Sequence, residues 1–189
     1  MAITTSLILD ASDSVLVVVD IQQKLAAAMP KGVRERVIEQ VKVLSTAAHV
    51  LSVPVVVTEQ YPKGLGSTES ELMETFAEGT AVIEKTSFSC MKAEEFRQQI
   101  EKQKCKQIIL TGMESHICIL QTALDLQIQG FQVFVVEDAV SSRSKANQYN
   151  ALQRMRLAGV VITNVDSVIF EWLGDAAHPE FKSLAKLIS

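Results

Sequence analysis

Cysteine is scarce in this chain, and the few cysteines follow no pairing pattern. The 189 residues contain three cysteines, an odd number, and none of them stands in a C-x-x-C arrangement. Such a set indicates neither a disulfide framework nor a thiolate zinc site. We therefore expect free thiols and a reducing compartment, which favours a cytoplasmic location.

Histidine and the common cofactor motifs are also nearly absent. The three histidines lie far apart, at positions 49, 116 and 178, and the stretch from residue 59 to residue 80 contains none. A zinc or iron site needs clustered ligands, so we expect no metal. No G-x-G-x-x-G motif follows the first apolar run and no G-x-x-x-x-G-K-[ST] motif occurs, so we expect neither a dinucleotide nor a P-loop and assign no cofactor.

Long hydrophobic runs and an excess of basic residues are missing as well. The longest strongly apolar run near the start, residues 15–19, is far shorter than the ~20 residues of a membrane span. The first basic residue is Lys24, so no targeting segment and no membrane partner are expected. The chain has 18 Lys and Arg against 22 Asp and Glu, a net charge of −4. This balance disfavours a nucleic-acid partner, because such binders neutralise phosphates with basic faces.

The sequence does contain a regular alternation of short β-branched runs with longer helical patterns. Strands are predicted over residues 14–20, 54–59, 81–85, 107–112, 132–137 and 160–163. Helices are predicted over residues 32–52, 70–76, 93–102, 116–130, 146–158, 165–173 and 179–188, with a Gly/Pro loop over residues 61–67. This pattern predicts an α/β fold whose parallel sheet has helices on both faces. We expect a single domain over residues 1–189, with its core at about residues 14–188.

The residues just after the strands are the candidates for chemistry, because ligands bind beyond the carboxyl ends of parallel strands. Asp20 ends the first strand, where its alternative role is to cap the following segment. Lys85 ends the third strand, where a lysine is ordinarily solvated surface. Gln60 and Tyr61 follow the second strand and are candidates for the lining of a pocket.

Cys118 stands at the start of the helix that follows the fourth strand. Free amides and the helix dipole favour an anion there, so a lowered thiol pKa is expected. The alternative is a buried structural cysteine, which suits Cys105 better because Cys105 precedes a strand. Cys90 lies in a loop and is a candidate for the edge of the pocket. His116 is two residues from Cys118, and such neighbours do not face each other on a helix, which leaves Asp20 as the better base.

Taken together, these strand ends resemble those of the isochorismatase-like cysteine hydrolases, and the resemblance extends over residues 14–188. The segments similar to the isochorismatase domain-containing branch are TEQYPKGLGST at residues 58–68, KTSFS at residues 85–89 and DAVSSRS at residues 138–144. The resemblance implies a three-layer α/β/α sandwich with a six-stranded parallel sheet. It also implies a catalytic triad of Asp20, Lys85 and Cys118.

The same resemblance implies a special turn before the nucleophile. A cis peptide is expected between Met113 and Glu114, in a turn that directs the backbone amides of Glu114 and Cys118 at the substrate oxygen. Members of the superfamily often carry threonine where this chain has Ser115. Its nicotinamidases carry an Asp/His metal site after the second strand, and this chain lacks it, which argues against nicotinamidase activity.

The resulting hypothesis is a cysteine hydrolase that acts on a small amide, or on a related C–N or C–O substrate, through a thioester-type intermediate. The residues expected to line its pocket are Gln60, Tyr61, Phe88, Met113, Glu114 and Ser115. A catalytically idle binding or scaffold protein on the same fold is the first alternative, and a nucleic-acid-processing protein is the second. A homo-oligomer is expected, because the resemblance implies assemblies and 48% hydrophobic residues leave apolar surface to cover.

Overall fold

Six parallel strands form the centre of the molecule. The structure is a computed structural model that describes residues 7–188, so residues 1–6 and 189 of the predicted domain lie outside the described part. In chain order the strands β1 to β6 are Ser14–Val19, Val55–Gln60, Ala81–Lys85, Gln107–Met113, Gln132–Ser141 and Val161–Thr163. Every pair of neighbouring strands is parallel, which confirms the predicted sheet.

Helices connect these strands and cover them. The α-helices, α1 to α9 in chain order, are Gln23–Ala27, Val33–Val50, Pro62–Leu65, Ser70–Met73, Glu94–Gln103, Leu120–Ile128, Lys145–Leu157, Val165–Leu173 and Phe181–Ala185. The 3₁₀ turns are Ala11–Asp13 and Cys90–Lys92, and a π-helical turn, Ser115–Ile119, leads into α6. No helix within residues 7–188 is both long and apolar enough to cross a membrane.

Two hydrophobic layers, one on each face of the sheet, hold the helices against it. Side chains of a strand alternate between faces. Leu16 and Val18 of β1 therefore join the core beneath α2 and α8, whereas Val15, Val17 and Val19 join the core beneath α5, α6 and α7. All five are fully buried, which explains why β1 reads as a continuous apolar run. The predicted three-layer α/β/α sandwich is thus confirmed.

The order of the strands identifies the position between β1 and β4 as the expected place for a ligand site. The order is β3-β2-β1-β4-β5-β6, so the chain builds outward from β1 to one side and then crosses to β4 on the other. Crevices for ligands in open parallel sheets form where the order reverses in this way, at the carboxyl ends of the strands. The segments that follow β1 and β4 therefore meet at the expected position of a site.

Several boundaries differ from the predictions. β5 extends to Ser141 rather than ending at residue 137, because a register shift between Leu110 and Gly112 brings later residues of β5 opposite the end of β4. The helix expected over residues 116–130 begins as the π-helical turn and continues as α6. The short helices α1 and α3 lie where none was predicted, and α9 is shorter than the expected helix over residues 179–188.

Candidate active site

Asp20 lies immediately after β1 and is completely buried. Its backbone adopts a left-handed conformation, with φ of 54°. The Asp20 Oδ1 atom accepts a hydrogen bond from Thr58 Oγ1 at 2.7 Å, and Oδ2 accepts one from Lys85 Nζ at 2.7 Å. The alternative role as a helix cap is not what the structure shows, because Gln22 occupies the N-cap position of α1.

Lys85 ends β3 with a side chain that is 0% exposed, so the alternative of a solvated surface lysine is wrong. Besides Asp20, its Nζ donates to Gln60 Oε1 at 2.7 Å and to the carbonyls of Ser87 and Phe88, both at 3.3 Å. Burial acts to lower the pKa of Lys85, but the charge of Asp20, the neighbouring Cys90 and Cys118 and the hydrogen bond to Asp20 together outweigh burial and raise it. The ammonium therefore stays charged inside the protein.

Cys118 lies in the π-helical turn and is 5% exposed. Burial raises the pKa of its thiol, and the charge of Asp20 and a hydrogen bond to that carboxylate raise it further, against the opposing charge of Lys85. The expected lowering of the thiol pKa is therefore wrong for the resting protein. A thiol that faces a buried carboxylate keeps its proton, because two neighbouring negative charges are unfavourable in a dry site.

A second thiol, that of Cys90, lies beside the same groups and is fully buried. Its Sγ is 3.8 Å from Thr58 Oγ1, and its backbone N–H donates to Thr122 Oγ1 at 2.9 Å. Burial raises the pKa of Cys90 to about 11, and the charge of Asp20 adds to this. Cys90 thus lies inside the protein beside the site rather than at a pocket edge. Sequence reasoning missed Thr58, which stands one residue before the predicted end of its strand.

Gln60 holds Lys85 rather than facing an open pocket. Its side chain accepts from Lys85 and donates to the Thr86 carbonyl at 2.7 Å, and the residue is 8% exposed. Its backbone N–H in turn donates to Gln22 Oε1 at 2.7 Å. This network fixes the ammonium group opposite Asp20.

Tyr61 and Phe88 are the exposed aromatic residues near this network, each 54% exposed. Tyr61 lines a cavity of about 540 Å³ that also borders Lys85, Thr86 and Ser87 and reaches the start of α5. The Phe88 side chain is not part of that lining, although its carbonyl accepts from Lys85. The structure therefore brings Tyr61 to the cavity beside Lys85 and leaves the Phe88 ring at the surface.

The turn between β4 and the nucleophile has the predicted cis peptide between Met113 and Glu114. Both residues are buried, and Glu114 Oε1 accepts from the Arg143 backbone N–H at 3.1 Å and from its Nε at 2.8 Å. The Glu114 carboxylate is thereby directed at Arg143. Ser115 Oγ is buried, and together with Ser45 Oγ it lacks a hydrogen-bond partner among the described residues.

Histidine and metal chemistry find no support in the geometry. Asn147 Nδ2 donates to His116 Nε2 at 3.3 Å, and His116 Nδ1 is 2.9 Å from Ser142 Oγ. Both ring nitrogens of His116 are thus engaged away from Cys118. Within the described range of the chain, no group of three or more His, Cys, Asp or Glu side chains is placed to hold a metal ion.

Comparison with known proteins identifies the family. The isochorismatase domain model matches residues 14–167. The chain belongs to the isochorismatase family. The secreted isochorismatase effector Isc1 of Phytophthora sojae is 42% identical over 181 residues, 93% of this chain and 84% of that protein. Isochorismatase domain-containing protein 2 of Pongo abelii is 46% identical over 142 residues, 75% of this chain and 67% of that protein. This confirms the predicted family, whereas a cytoplasmic location stays a prediction because one relative is named as secreted.

Solved structures of isochorismatase-like proteins share the fold. The MAR1 ribonuclease of Caenorhabditis elegans is 40% identical, with a TM-score of 0.89 over 95% of this chain and 91% of that one. YcaC of Pseudomonas aeruginosa, solved with hexane-2,5-diol and covalent acrylamide, is 25% identical, with a TM-score of 0.84 over 97% and 96%. The YcaC gene product of Escherichia coli, an octameric hydrolase of unknown specificity, is 24% identical, with a TM-score of 0.91 over 98% and 91%. The chain is an isochorismatase-family hydrolase.

Proposed function

We propose that this hydrolase is a metal-independent cysteine enzyme in which Cys118 attacks the substrate, Asp20 transfers protons and Lys85 stabilises negative charge. The observation that supports this most directly is one buried carboxylate, that of Asp20, in contact with both the Lys85 ammonium and the Cys118 thiol. A base beside a thiol, with a cation beside both, is the arrangement that nucleophilic catalysis by cysteine requires.

The proposed reaction begins with the neutral thiol. Asp20 accepts the Cys118 proton as the sulfur attacks the carbonyl carbon, so the thiolate forms only when a substrate is in place. The C–N or C–O bond breaks, the leaving group takes the proton from Asp20, and an acyl group remains on Cys118 as a thioester. Asp20 then takes a proton from water, which hydrolyses the thioester and returns the thiol. Lys85 stays protonated throughout and offsets the charge that moves between Asp20 and the sulfur.

The turn before Cys118 supplies the remaining elements of the proposal. The backbone amides of Glu114 and Cys118 bind the oxygen that becomes negative during the attack. Ser115 Oγ, buried and without a protein partner, donates to a polar atom of the substrate. Tyr61 borders the cavity beside Lys85 through which the substrate approaches, and Gln60 contributes by fixing Lys85.

A small amide, or a related molecule with a C–N or C–O bond to a carbonyl carbon, is the proposed substrate class. The proposed triad is largely buried, with Cys118 only 5% exposed, which favours small molecules over polymers. Acrylamide is covalently bound in the solved structure of Pseudomonas aeruginosa YcaC, and an amide-bearing electrophile held covalently on the same fold supports a reactive nucleophile here.

A screen of small amides and esters in the presence of a chelator tests the proposal. The wild type and Cys105→Ser, which changes a cysteine distant from Asp20, should both release product, whereas Cys118→Ala should fold normally and release none. Measurement of the intact protein mass after rapid quenching should show an acyl adduct on the wild type and none on Cys118→Ala. Turnover by Cys118→Ala, or loss of turnover on chelation with recovery on adding zinc, would contradict the mechanism. A Cys118 that neither turns over substrates nor reacts with iodoacetamide would favour the idle binding protein.

Ribonuclease activity is the second candidate function. Its support is the structural neighbour from Caenorhabditis elegans, which is named a ribonuclease and is 40% identical over 95% of this chain. The net charge of −4 weighs against a strong electrostatic hold on RNA. Incubation of labelled single-stranded RNA with the wild type and with Cys118→Ala distinguishes a ribonuclease from a hydrolase of small molecules. Cleavage by the wild type that falls with added salt and disappears in the variant would establish it.

We also propose that the chain assembles into a homo-oligomer. Large apolar side chains are exposed on several helices, and those of Ile128, Leu157 and Phe170 are 78%, 88% and 45% exposed. Apolar surface of this kind is commonly covered by a partner. Light scattering should give a mass that is a multiple of 20.7 kDa, and a single species at 20.7 kDa would refute the proposal.

A further inference from the structure

A chain of three buried groups leads from Cys90 to the carboxylate of Asp20. Thr58 Oγ1 is 2.7 Å from Asp20 Oδ1, and Cys90 Sγ is 3.8 Å from Thr58 Oγ1. All three residues are 0% exposed, so water does not compete for these contacts. The proposed reaction uses Asp20 but gives no role to Thr58 or Cys90.

The chemistry of the groups fixes the direction of these hydrogen bonds. An ionised carboxylate only accepts, so the single Thr58 hydroxyl proton points at Asp20. The Thr58 oxygen is then left as an acceptor, and the only donor that reaches it from Cys90 is the S–H group. Cys90 must therefore carry its proton for the chain to form, and burial, which raises its pKa to about 11, keeps that proton in place at neutral pH.

The same geometry separates the roles of the two thiols near Asp20. Burial, and then the charge and a hydrogen bond of Asp20, raise the pKa of the Cys118 thiol, whereas the side-chain hydrogen bond of Cys90 goes to Thr58. The backbone of Cys90 is held as well, since its N–H donates to Thr122 Oγ1 in α6, one turn beyond Cys118. Cys90 is thus fixed as a donor and is not a second nucleophile.

We propose that Thr58 and Cys90 are positioning residues that hold the Asp20 carboxylate in the orientation that receives the Cys118 proton. Thr58 fixes one carboxylate oxygen while Lys85 fixes the other, so the carboxylate plane cannot rotate. Cys90 takes no part in proton transfer. It acts through Thr58, because its S–H group donates to the Thr58 hydroxyl and keeps the hydroxyl proton directed toward Asp20. This inference rests on the proposed function of Asp20 and Cys118.

The pH profile of Cys118 alkylation tests the inference. Iodoacetamide is the probe, the full-length protein is used, and mass spectrometry maps the rate at Cys118 alone. The midpoint of the acid limb of this profile belongs to the coupled site as a whole, in which Lys85, Cys90 and Cys118 face the Asp20 carboxylate. Thr58→Val removes one donor and keeps the shape, so the midpoint of the acid limb should rise by about one pH unit, and the plateau rate should fall by about threefold to tenfold. Thr58→Ser keeps a hydroxyl and should restore both values to within about 0.3 unit and threefold.

A double-mutant cycle tests the indirect role of Cys90. Cys90→Ala alone should raise the midpoint by about 0.3 unit, because the Thr58 hydroxyl loses a weak donor. In the Thr58→Val background the same change should have no further effect on the midpoint, since the hydroxyl through which Cys90 acts is gone. Equal shifts in both backgrounds would show that Cys90 acts through packing, and would overturn its positioning role.

Thr111→Val is the matched control. Thr111 is equally buried on β4, which pairs with β1 on the side away from β2, but its Oγ1 donates to the Val17 carbonyl at 3.2 Å and not to Asp20. This variant should lose stability in thermal melting without moving the midpoint. A midpoint that moves as much as in Thr58→Val, or a Thr58→Val profile like that of the wild type, would overturn the inference. A wild-type Cys118 that does not react at all would overturn the proposed function, and the inference with it.

Discussion

Replacing Asp20 by asparagine should make the Cys118 thiol more acidic while making the protein less active. In the folded protein, burial raises the pKa of Cys118, and the charge and hydrogen bond of Asp20 raise it further. Asparagine keeps the size of the side chain but removes the charge. A like charge at close range is worth about 1–3 pKa units, so the thiol pKa should fall by roughly that amount. At 1.36 kcal/mol per unit this is about 1–4 kcal/mol in favour of the thiolate.

Turnover should move in the opposite direction. Asp20 is the proposed proton acceptor for the thiol and the donor for the leaving group, and general acid–base assistance is worth roughly 10²–10⁴-fold. Asp20→Asn should therefore reduce turnover by that factor although more of Cys118 is ionised. A nucleophile activated simply by a low pKa would instead lose little activity.

The measurement is the alkaline limb of the pH profile of Cys118 alkylation by iodoacetamide, mapped by mass spectrometry so that Cys90 does not contribute, paired with turnover on a substrate found in the amide screen. Lys85→Met is the counterpart variant, because it removes the opposing positive charge and should raise the thiol pKa. The double variant Asp20→Asn with Lys85→Met should fall between the two, since burial alone then acts on the sulfur. A thiol pKa that stays unchanged or rises in Asp20→Asn would refute the electrostatic reasoning.

Three further predictions concern stability, each measured by chemical denaturation. Lys85→Met leaves Asp20 buried without its ion-pair partner and should lower the free energy of unfolding by about 3–5 kcal/mol. A loss below about 1 kcal/mol would contradict the importance of the ion pair. Gly112→Ala should lower the free energy of unfolding by about 2–5 kcal/mol, because φ is +120° there and an added Cβ would lie 2.0 Å from the Val19 carbonyl oxygen. An unchanged unfolding midpoint would contradict this prediction. Cys90 keeps its proton in the folded state up to a pKa of about 11 but loses it near 9.0 when unfolded, so its contribution is intact below pH 9 and is lost as pH rises toward 11. The wild type should thus lose about 3 kcal/mol more than Cys90→Ser over that interval, and parallel pH curves would refute this.

Much of the fold could be predicted because its strands are buried on both faces. Valine dominates β1 and the first half of β2, and such apolar runs favour central parallel strands. The ends of the elements were less predictable. β5 continues to Ser141 because of a register shift beside Gly112, and the helix that carries Cys118 begins with a π-helical turn. Both depend on contacts between distant segments, which leave no periodic trace in the sequence.

The sequence could predict which residues come together at the candidate site, but not the direction in which the pKa of the Cys118 thiol is shifted. The ends of parallel strands share one edge of the sheet, so Asp20 and Lys85 were expected to approach Cys118, and the first two meet at 2.7 Å. The position of Cys118 near a helix start argued for an acidic thiol. That argument fails because burial, and next the charge of the Asp20 carboxylate, raise the pKa of the thiol against the charge of Lys85, which the same carboxylate partly neutralises. The sequence names the three residues, but only the geometry shows that Asp20 and Lys85 are already paired and that the Cys118 thiol lies in a buried setting that raises its pKa.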